Sequence, residues 1–386
     1  MSDVILLTGA TGLLGRYLLR DLTLRGARLA VLARGDRRDP PEARVESIMA
    51  GWEGALGRRL PRPHVLTGEL TKSGLGLDAA ALRWIGRHCA GAIHNAASLT
   101  FVGADRDGEP WQTNLNGTAN LVDVCMAAGV RSFHHVSTAY VCGLRSDLVT
   151  EDEPLRAGPF RNDYEHSKAE AERLVRAAAF PGGVTVHRPA VIVGDSVTGY
   201  TSTYHGLYLY LQYMDRMRRL AARASAGRGA GRWVLPLRLD LTGDERRNLV
   251  PVDWVSAVIA EVVLRPELHG KTYHQTPTPP VTARQLEGAM EAYFNYTGVT
   301  FAGPGARSSG DLNAAEAAFY EYVSRYELYW ASEPTFDATN TRTALPHLPC
   351  PPLDAALLAR LIEFAVRDKW GRASRKVRPT AAASTP

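Results

Sequence analysis

Disulfide bridges, metal ligation and membrane insertion all lack support in this sequence. Only four cysteines occur in 386 residues, Cys89, Cys125, Cys142 and Cys350. They form no C-x-x-C pair and match no zinc-ligand spacing, so they read as reduced, buried thiols of a cytoplasmic protein, and no metal is expected. No apolar run approaches the length of a membrane span. The N-terminus enters a short apolar segment with no basic stretch or cleavage site, which leads us to expect a soluble, intracellular chain. No internal repeat is visible. An acidic excess is also missing: the net charge is +5, supplied largely by arginine, as in residues 216–232 and 372–378. That balance suits an anionic partner, a phosphorylated cofactor or an acidic carrier protein, or equally a solvated surface; nucleic acid is not expected.

What is present is ordinary globular composition, 45% apolar and 22% charged, enough for one large domain or two moderate ones. Val4-Ile5-Leu6-Leu7 is a continuous apolar run, as in a strand buried on both faces. Thr8-Gly9-Ala10-Thr11-Gly12-Leu13-Leu14-Gly15 follows it directly, and a helical pattern covers residues 13–24. Glycines at 9, 12 and 15 allow a tight turn, close backbone approach to a pyrophosphate, and packing of helix on strand, with the phosphates at the helix N-terminus. The second strand, residues 27–33, ends at Arg34, where an NAD enzyme would place a carboxylate for the ribose 2′-hydroxyl. A guanidinium suits a 2′-phosphate instead, so NADP(H) is expected, with Arg44 as a second contact; Asp36, Arg37 and Arg38 read as solvated loop.

A helix over 42–60, a strand over 63–66 leading to Gly68-Glu69-Leu70, a helix over 77–88 and a strand over 91–94 continue the alternation. Such a pattern predicts an α/β fold with a doubly wound parallel sheet. Asn95-Ala96-Ala97-Ser98 follows the fourth strand, and these small residues let the backbone pass close to a cofactor. A helix from Trp111 to Ala128 carries Asn114 and Asn116; asparagine inside a helix is unfavourable, so Asn114 is either a cap or packing residue or has a polar task. Ser132 to Ser137 is a fifth strand, with Thr138 at its C-terminal end, the edge where open α/β sheets bind ligands. His134 and His135 on that strand read as packed residues rather than catalytic ones.

The helix over 162–176 opens with Tyr164-Glu165-His166-Ser167-Lys168. A Tyr and a Lys four apart share one helix face, so the ammonium is expected to lower the phenol pKa toward neutrality and let it pass a proton to a carbonyl oxygen. Thr138 can donate a hydrogen bond to that same oxygen. Arg188-Pro189-Ala190-Val191 continues the sixth strand (184–187), and exposed main-chain groups near Pro189 and Val191 suit a nicotinamide carboxamide. Beyond Asp195 the alternation stops. Tyr204, Leu207, Tyr208, Leu211, Met214 and Met217 form a helical stripe, either core or the wall of an acyl groove. Residues 221–231 read as a mobile loop, and helices near 283–294, 314–329 and 353–369 as a smaller lobe. The expected division is a dinucleotide-binding domain over 1–195 completed by 248–277, a substrate lobe over 196–247 and 278–378, and a disordered tail, 379–386.

Taken together, Thr8-Gly9-Ala10-Thr11-Gly12 to Gly15, Asn95-Ala96-Ala97, Asn114 with Gly117-Thr118, Ser137-Thr138 to Gly143, Tyr164 with Lys168, and Arg188-Pro189 make the chain resemble an extended short-chain dehydrogenase/reductase over roughly residues 3–275. The wording of residues 94–101, 137–143, 164–168 and 194–199 is similar to the thioester reductase and fatty acyl-CoA reductase branch. That resemblance implies NADPH-dependent reduction of an acyl thioester held on a carrier protein or on CoA, releasing an aldehyde or alcohol. It also implies that Thr138, Tyr164, Lys168 and Asn114 are catalytic, with Lys168 holding the nicotinamide ribose. Arg34 and Arg44 match that branch's basic positions. Glu69 stands where the family has Asp beside the adenine, with Leu70 next to it, which leaves adenine positioning in question. With no adenylation or carrier pattern in these residues, a free-standing reductase is expected, its acyl group arriving on a separate protein, on CoA, or not as a thioester; a monomer or homodimer is expected. The rival expectations are a ketoreductase or sugar-nucleotide dehydrogenase/epimerase with the same catalytic residues, and a non-catalytic NADP-binding sensor.

Overall fold

Continuous apolar runs become the strands of one parallel sheet in the computed structural model, which describes residues 3–35, 39–103, 105–224, 231–305 and 312–373. The loop residues 36–38, part of the Gly/Arg-rich segment (225–230) and the tail (379–386) singled out above lie outside the described residues. No helix among the described residues is long and apolar enough to cross a membrane.

The chain divides into two units. The first comprises Met1–Ile192, Val252–Pro277 and Pro334–Cys350. Its strands include β1 (Val4–Thr8), β2 (Arg28–Ala33), β3 (His64–Thr67), β4 (Cys89–His94), β5 (Ser132–Val136), the two-residue β6 (Leu148–Val149) and β7 (Val184–Pro189). Seven strands form the main sheet in the order Thr272–Gln275, β7, β5, β4, β1, β2, β3, and every pairing in it is parallel. Leu6 and Leu7 are both fully buried although they point to opposite faces, which requires helices on each side. These include α1 (Leu13–Leu24), α2 (Pro41–Leu56), α3 (Ala79–His88), α4 (Gly117–Ala127) and α5 (Asp163–Ala177). The strand order reverses between β1 and β4, so a crevice opens outside their C-terminal ends. Thr8, Asn95, Thr138 and Pro189 all lie at that edge.

Local chemistry sets the ends. Asp78 and Asn162 cap α3 and α5 by accepting from the Ala81 and Glu165 amides. Helix α2 stops at Leu56, short of the expected residue 60, because Gly57 turns left-handed with φ 66°. Ahead of α4, residues Gln112–Asn116 are π-helical, so the single helix expected from Trp111 is two kinds of helix joined at Gly117.

Residues 334–350, assigned from sequence to the substrate lobe, belong to this first unit. Thr335–Phe336 pairs with β6, and the short helix Thr339–Ala344 packs on Thr272–Gln275. Glu151, just after β6, holds them there. Its carboxylate accepts from the backbone amides of His274 (2.8 Å) and Asn340 (2.6 Å). Such long-range closure leaves no periodic trace in sequence.

The second unit, considered separately, comprises Val193–Pro251, Thr278–Glu333 and the described residues from Pro351. The expected stripe is a helix only from Leu207 to Ala224, and Leu207, Tyr208, Leu211 and Met214 are buried core. It packs against helices Ala283–Phe294, Ala314–Val323 and Ala355–Arg367. A parallel pair of strands, Trp233–Leu239 with Tyr296–Phe301, was not anticipated; the alternation of buried and exposed residues in the first strand is its period-2 signal.

Burial pushes the Glu151 carboxyl up to about 7, against the hydrogen bonds from His274 and Asn340 that pull it down. A raised folded-state value means the folded chain holds the proton more tightly, so the stabilisation is complete below the unfolded value and is lost as pH rises through about 7. We therefore expect the stability of the parent relative to Glu151→Gln to grow as pH is lowered from 8 to 5, by up to about 3 kcal/mol, in urea unfolding at each pH.

Candidate active site

The turn after β1 is shaped by what a side chain would strike. Gly9 has φ 72°, and an added Cβ would lie 2.6 Å from the Ala96 amide nitrogen; at Gly15 it would lie 2.0 Å from the Gly9 carbonyl oxygen. Only glycine lets β1, the loop after β4 and helix α1 meet this closely. Thr8 Oγ1 accepts from the amides of Asn95 and Ala96, each at 3.2 Å, and Asn95 Nδ2 donates to the Gly9 carbonyl at 3.2 Å. Gly12 is the N-cap of α1 and brings no capping side chain, so the first amides of α1, from Leu13 and Leu14 onward, are available to an anion. A backbone cradle that a Cβ would fill, followed by an uncapped helix N-terminus, fits the pyrophosphate of a dinucleotide. Ala97 is exposed on the same loop.

At the far end of this turn Arg44 and Arg16 both reach Thr11. Arg44 donates to the Arg34 carbonyl at 2.8 Å and to Thr11 Oγ1 at 3.2 Å. Arg16 donates to the Thr11 carbonyl at 3.2 Å. Arg34, 71% exposed in its side chain, lies 3.6 Å from the Glu69 carboxylate. Arg34 is thus tied to Arg44 through its main chain and to Glu69 through its side chain. Arg16 went unremarked in the sequence, although its place one turn into α1 from Gly12 was the available signal. Leu70 is buried, and its carbonyl accepts from Asn120 Nδ2 at 2.8 Å, so its main chain is tied to α4.

Thr138, Tyr164, Lys168 and Asn114 are gathered around the ends of β5 and α5. Thr138 Oγ1 accepts from the Tyr140 amide (3.4 Å) and donates to the Pro189 carbonyl (3.5 Å), with the Tyr164 phenol beside it. Phe101 stands beside Tyr164 with ring centroids 6.2 Å apart, its carbonyl accepting from the Asp163 amide at 3.0 Å. Lys168 is buried, and its ammonium donates to the Val136 carbonyl at 2.8 Å. Val191 lies two residues past Pro189, partly exposed.

One expectation needs correction. Lys168 does not draw the Tyr164 phenol toward neutrality: burial, then the Glu165 carboxylate, push it up to about 12, and only the Thr138 hydroxyl pulls the other way. Burial also lowers Lys168 to about 8, against the Glu172 carboxylate, which raises it. Desolvation outweighs the lysine's pull because the ammonium is directed to a backbone carbonyl. At neutral pH the phenol keeps its proton, the state a general acid needs.

Asn114, buried to 1% exposure, makes three contacts with its side chain. Its Oδ1 accepts from the Ser98 amide at 2.7 Å, and its Nδ2 donates to the Ser98 carbonyl at 3.1 Å and to Ser167 Oγ at 2.9 Å. It thereby straps the loop after β4 to the residue preceding Lys168. The π-helical turn that carries it is a conformation found repeatedly at functional sites.

Behind Lys168, one turn further along α5, Glu172 meets Arg188 of β7 at 2.7 Å with both side chains buried, and also Arg176 at 2.8 Å. Burial alone would raise this carboxyl; the charges of Arg188 and Arg176 outweigh it and hold Glu172 at about 2. Neither Glu172 nor Ser167 was singled out in the sequence, though both flank Lys168 on the same helix.

Residues 7–259 match the family model described as male sterility protein, a family of NAD-binding domains. The chain belongs to that family. It is 25% identical to the non-canonical nonribosomal peptide synthetase FrzA of Cladobotryum sp. over 93% of this chain and 36% of that protein. It is also 25% identical to the L-2-aminoadipate reductase large subunit of Penicillium chrysogenum, over 89% of this chain and 25% of that one. The chain thus spans about a third or less of these relatives. Among solved structures, the terminal R domain from the myxalamid PKS-NRPS biosynthetic pathway superposes with a TM-score of 0.75 at 27% identity, covering 96% of this chain and 92% of that one. Membership in this family accords with a nicotinamide dinucleotide as the cofactor of the cradle built by Gly9, Gly12 and Gly15.

Because Glu172 is the counter-charge of a buried guanidinium, Glu172→Gln is expected to destabilise the fold by roughly 3–5 kcal/mol. Urea denaturation followed by far-UV circular dichroism measures the loss; a change below about 1 kcal/mol would contradict the pairing.

Proposed function

We propose that this chain is an NADPH-dependent reductase of acyl thioesters presented on CoA or on a carrier protein. The observation that carries the reading is the Tyr164 phenol, beside the Thr138 hydroxyl and one helical turn from Lys168, at the strand edge beside the dinucleotide turn. Similarity to the terminal R domain over nearly the whole chain directs the choice of substrate. The bound nicotinamide supplies hydride to the carbonyl carbon. Thr138 and Tyr164 hold the carbonyl oxygen, and Tyr164 gives it a proton as negative charge develops there. Lys168 keeps a positive charge one turn from Tyr164 and holds the cofactor ribose. Asn114 keeps the loop after β4 and the start of α5 in register, so it is a positioning residue. With a thioester the adduct is a hemithioacetal, whose collapse breaks the C–S bond and releases an aldehyde and a thiol; a second hydride and proton yield the alcohol.

Arg34 and Arg44, with Arg16 beside them, are the proposed seat of the 2′-phosphate, which makes NADPH the preferred cofactor. Glu69 both steadies Arg34 and borders the adenine. The second unit is the proposed substrate lobe, and the net positive charge suits an acidic carrier.

Incubation with NADPH and a panel of acyl-CoA and acyl-carrier thioesters, with mass analysis of products and thiol release, tests the reading. Aldehyde or alcohol with free thiol supports it; turnover of ketones or sugar nucleotides alone overturns it in favour of the sister activity, and cofactor binding without any turnover in favour of a sensor. Tyr164→Phe should leave NADPH affinity nearly intact and lower turnover by about two orders of magnitude or more. Near-parental turnover would remove the proton-donor role. Arg34→Ala should weaken NADPH binding with little effect on NADH, as read by nicotinamide fluorescence; an equal loss for both would contradict the 2′-phosphate assignment.

A further inference from the structure

An ammonium has three donors, and Lys168 makes one hydrogen bond, to the Val136 carbonyl. The residue before Val136 on the same strand is His135. It is fully buried, and neither of its ring nitrogens has a hydrogen-bond partner. Leaving a buried polar atom unpaired costs about 1–3 kcal/mol, and in folded proteins such groups are commonly met by ordered water.

The neighbours narrow down what that water can bridge. From β4, His94 lies with its ring centroid 5.5 Å from that of His135, but both its nitrogens are engaged, one by Thr8 and one by Thr118, each at 2.8 Å. From β7, His187 is engaged by His134 and Gln275. From α5, Arg176 is engaged by Glu172 and Thr272. The remaining charged neighbour is Lys168, whose buried ammonium is bonded to the carbonyl of the very next residue, Val136. A donor with N–H bonds to spare and an acceptor with none made therefore share one desolvated region.

We propose that His135 is a positioning residue for Lys168: its neutral ring accepts a spare ammonium N–H through one buried water and keeps that ammonium charged one turn from Tyr164. The ring is suited to accept, because burial first, and then the charge of Lys168, hold it well below the ordinary histidine range. A bridging water rather than direct contact is required, since no hydrogen bond joins the two side chains. The catalytic consequence, though not the bridge itself, rests on the proton-delivery reading of Tyr164 and Lys168.

The chain has five lysines, so full-length protein labelled with [ε-13C]lysine gives few resonances, and Lys168→Arg assigns the one of interest. His135→Leu removes the acceptor, while His135→Gln keeps one. In an NMR titration the Lys168 midpoint should fall by about half a pH unit or more in the leucine variant and return toward the parent value in the glutamine variant. The alkaline limb of kcat/KM should move in parallel. An unchanged midpoint in the leucine variant overturns the proposal, as does an equal displacement in both variants, which would mark a packing role. Should the leucine variant not fold, His135→Met takes its place. A crystal structure of the parent at a resolution that reveals solvent should show the water; a dry gap overturns the bridge. Neither the titration nor the crystal needs substrate, so a failure to reduce thioesters leaves both results standing.

Discussion

The buried pair Glu172–Arg188 is the constraint on which the rest of the site depends. Two opposite charges removed from water hold each other only if their geometry is kept, and here that geometry fixes α5 against β7. Arg188 also meets His274 Nε2 at 3.3 Å, while His274 Nδ1 donates to the Asp337 carbonyl at 2.6 Å. One ion pair thus extends through the strand Thr272–Gln275 to the segment 334–350. Because Lys168 and Tyr164 lie on the same helix as Glu172, this anchoring sets where the proposed proton donor stands relative to Thr138.

A second constraint meets the first at Asn114. The glycine turn brings Gly9 against Ala96, and Thr8 gathers the amides that follow β4. His94, buried and held near a pKa of about 3 by desolvation and then by Lys168, passes this order to Thr118 of α4. Thr118 in turn donates to the Asn114 carbonyl at 2.5 Å, and Asn114 reaches Ser167 on α5. The cofactor side and the proton-delivery side are therefore coupled through short polar contacts across the interior of one unit.

Much of this was legible in the sequence where the determinants are local. A continuous apolar run before Thr8, glycines at 9, 12 and 15, and a Tyr–Lys spacing of four each prescribe a backbone conformation or a shared face over a few residues. The alternation of strands and helices then prescribes a parallel sheet, and with it the edge where Thr138 must lie. The π-helical turn at Gln112–Asn116, the late start of the helix at Leu207 and the strand pair Trp233–Leu239 with Tyr296–Phe301 escaped, because propensity there is overridden by partners distant in sequence.

The sequence by itself determined the sheet, the dinucleotide turn and which side chains are proposed to react, since each follows from short-range stereochemistry. Tertiary structure alone decided their electrical state and their supports. Burial raises Tyr164 to about 12 and lowers Lys168 to about 8, the reverse of the acidified phenol that spacing alone suggested. Desolvation depends on every element packed around a group, and no window of residues contains that information. For the same reason the partners of Glu172, Asn114 and Glu151, which lie 16, 53 and 189 residues away, became visible only once the chain had closed on itself.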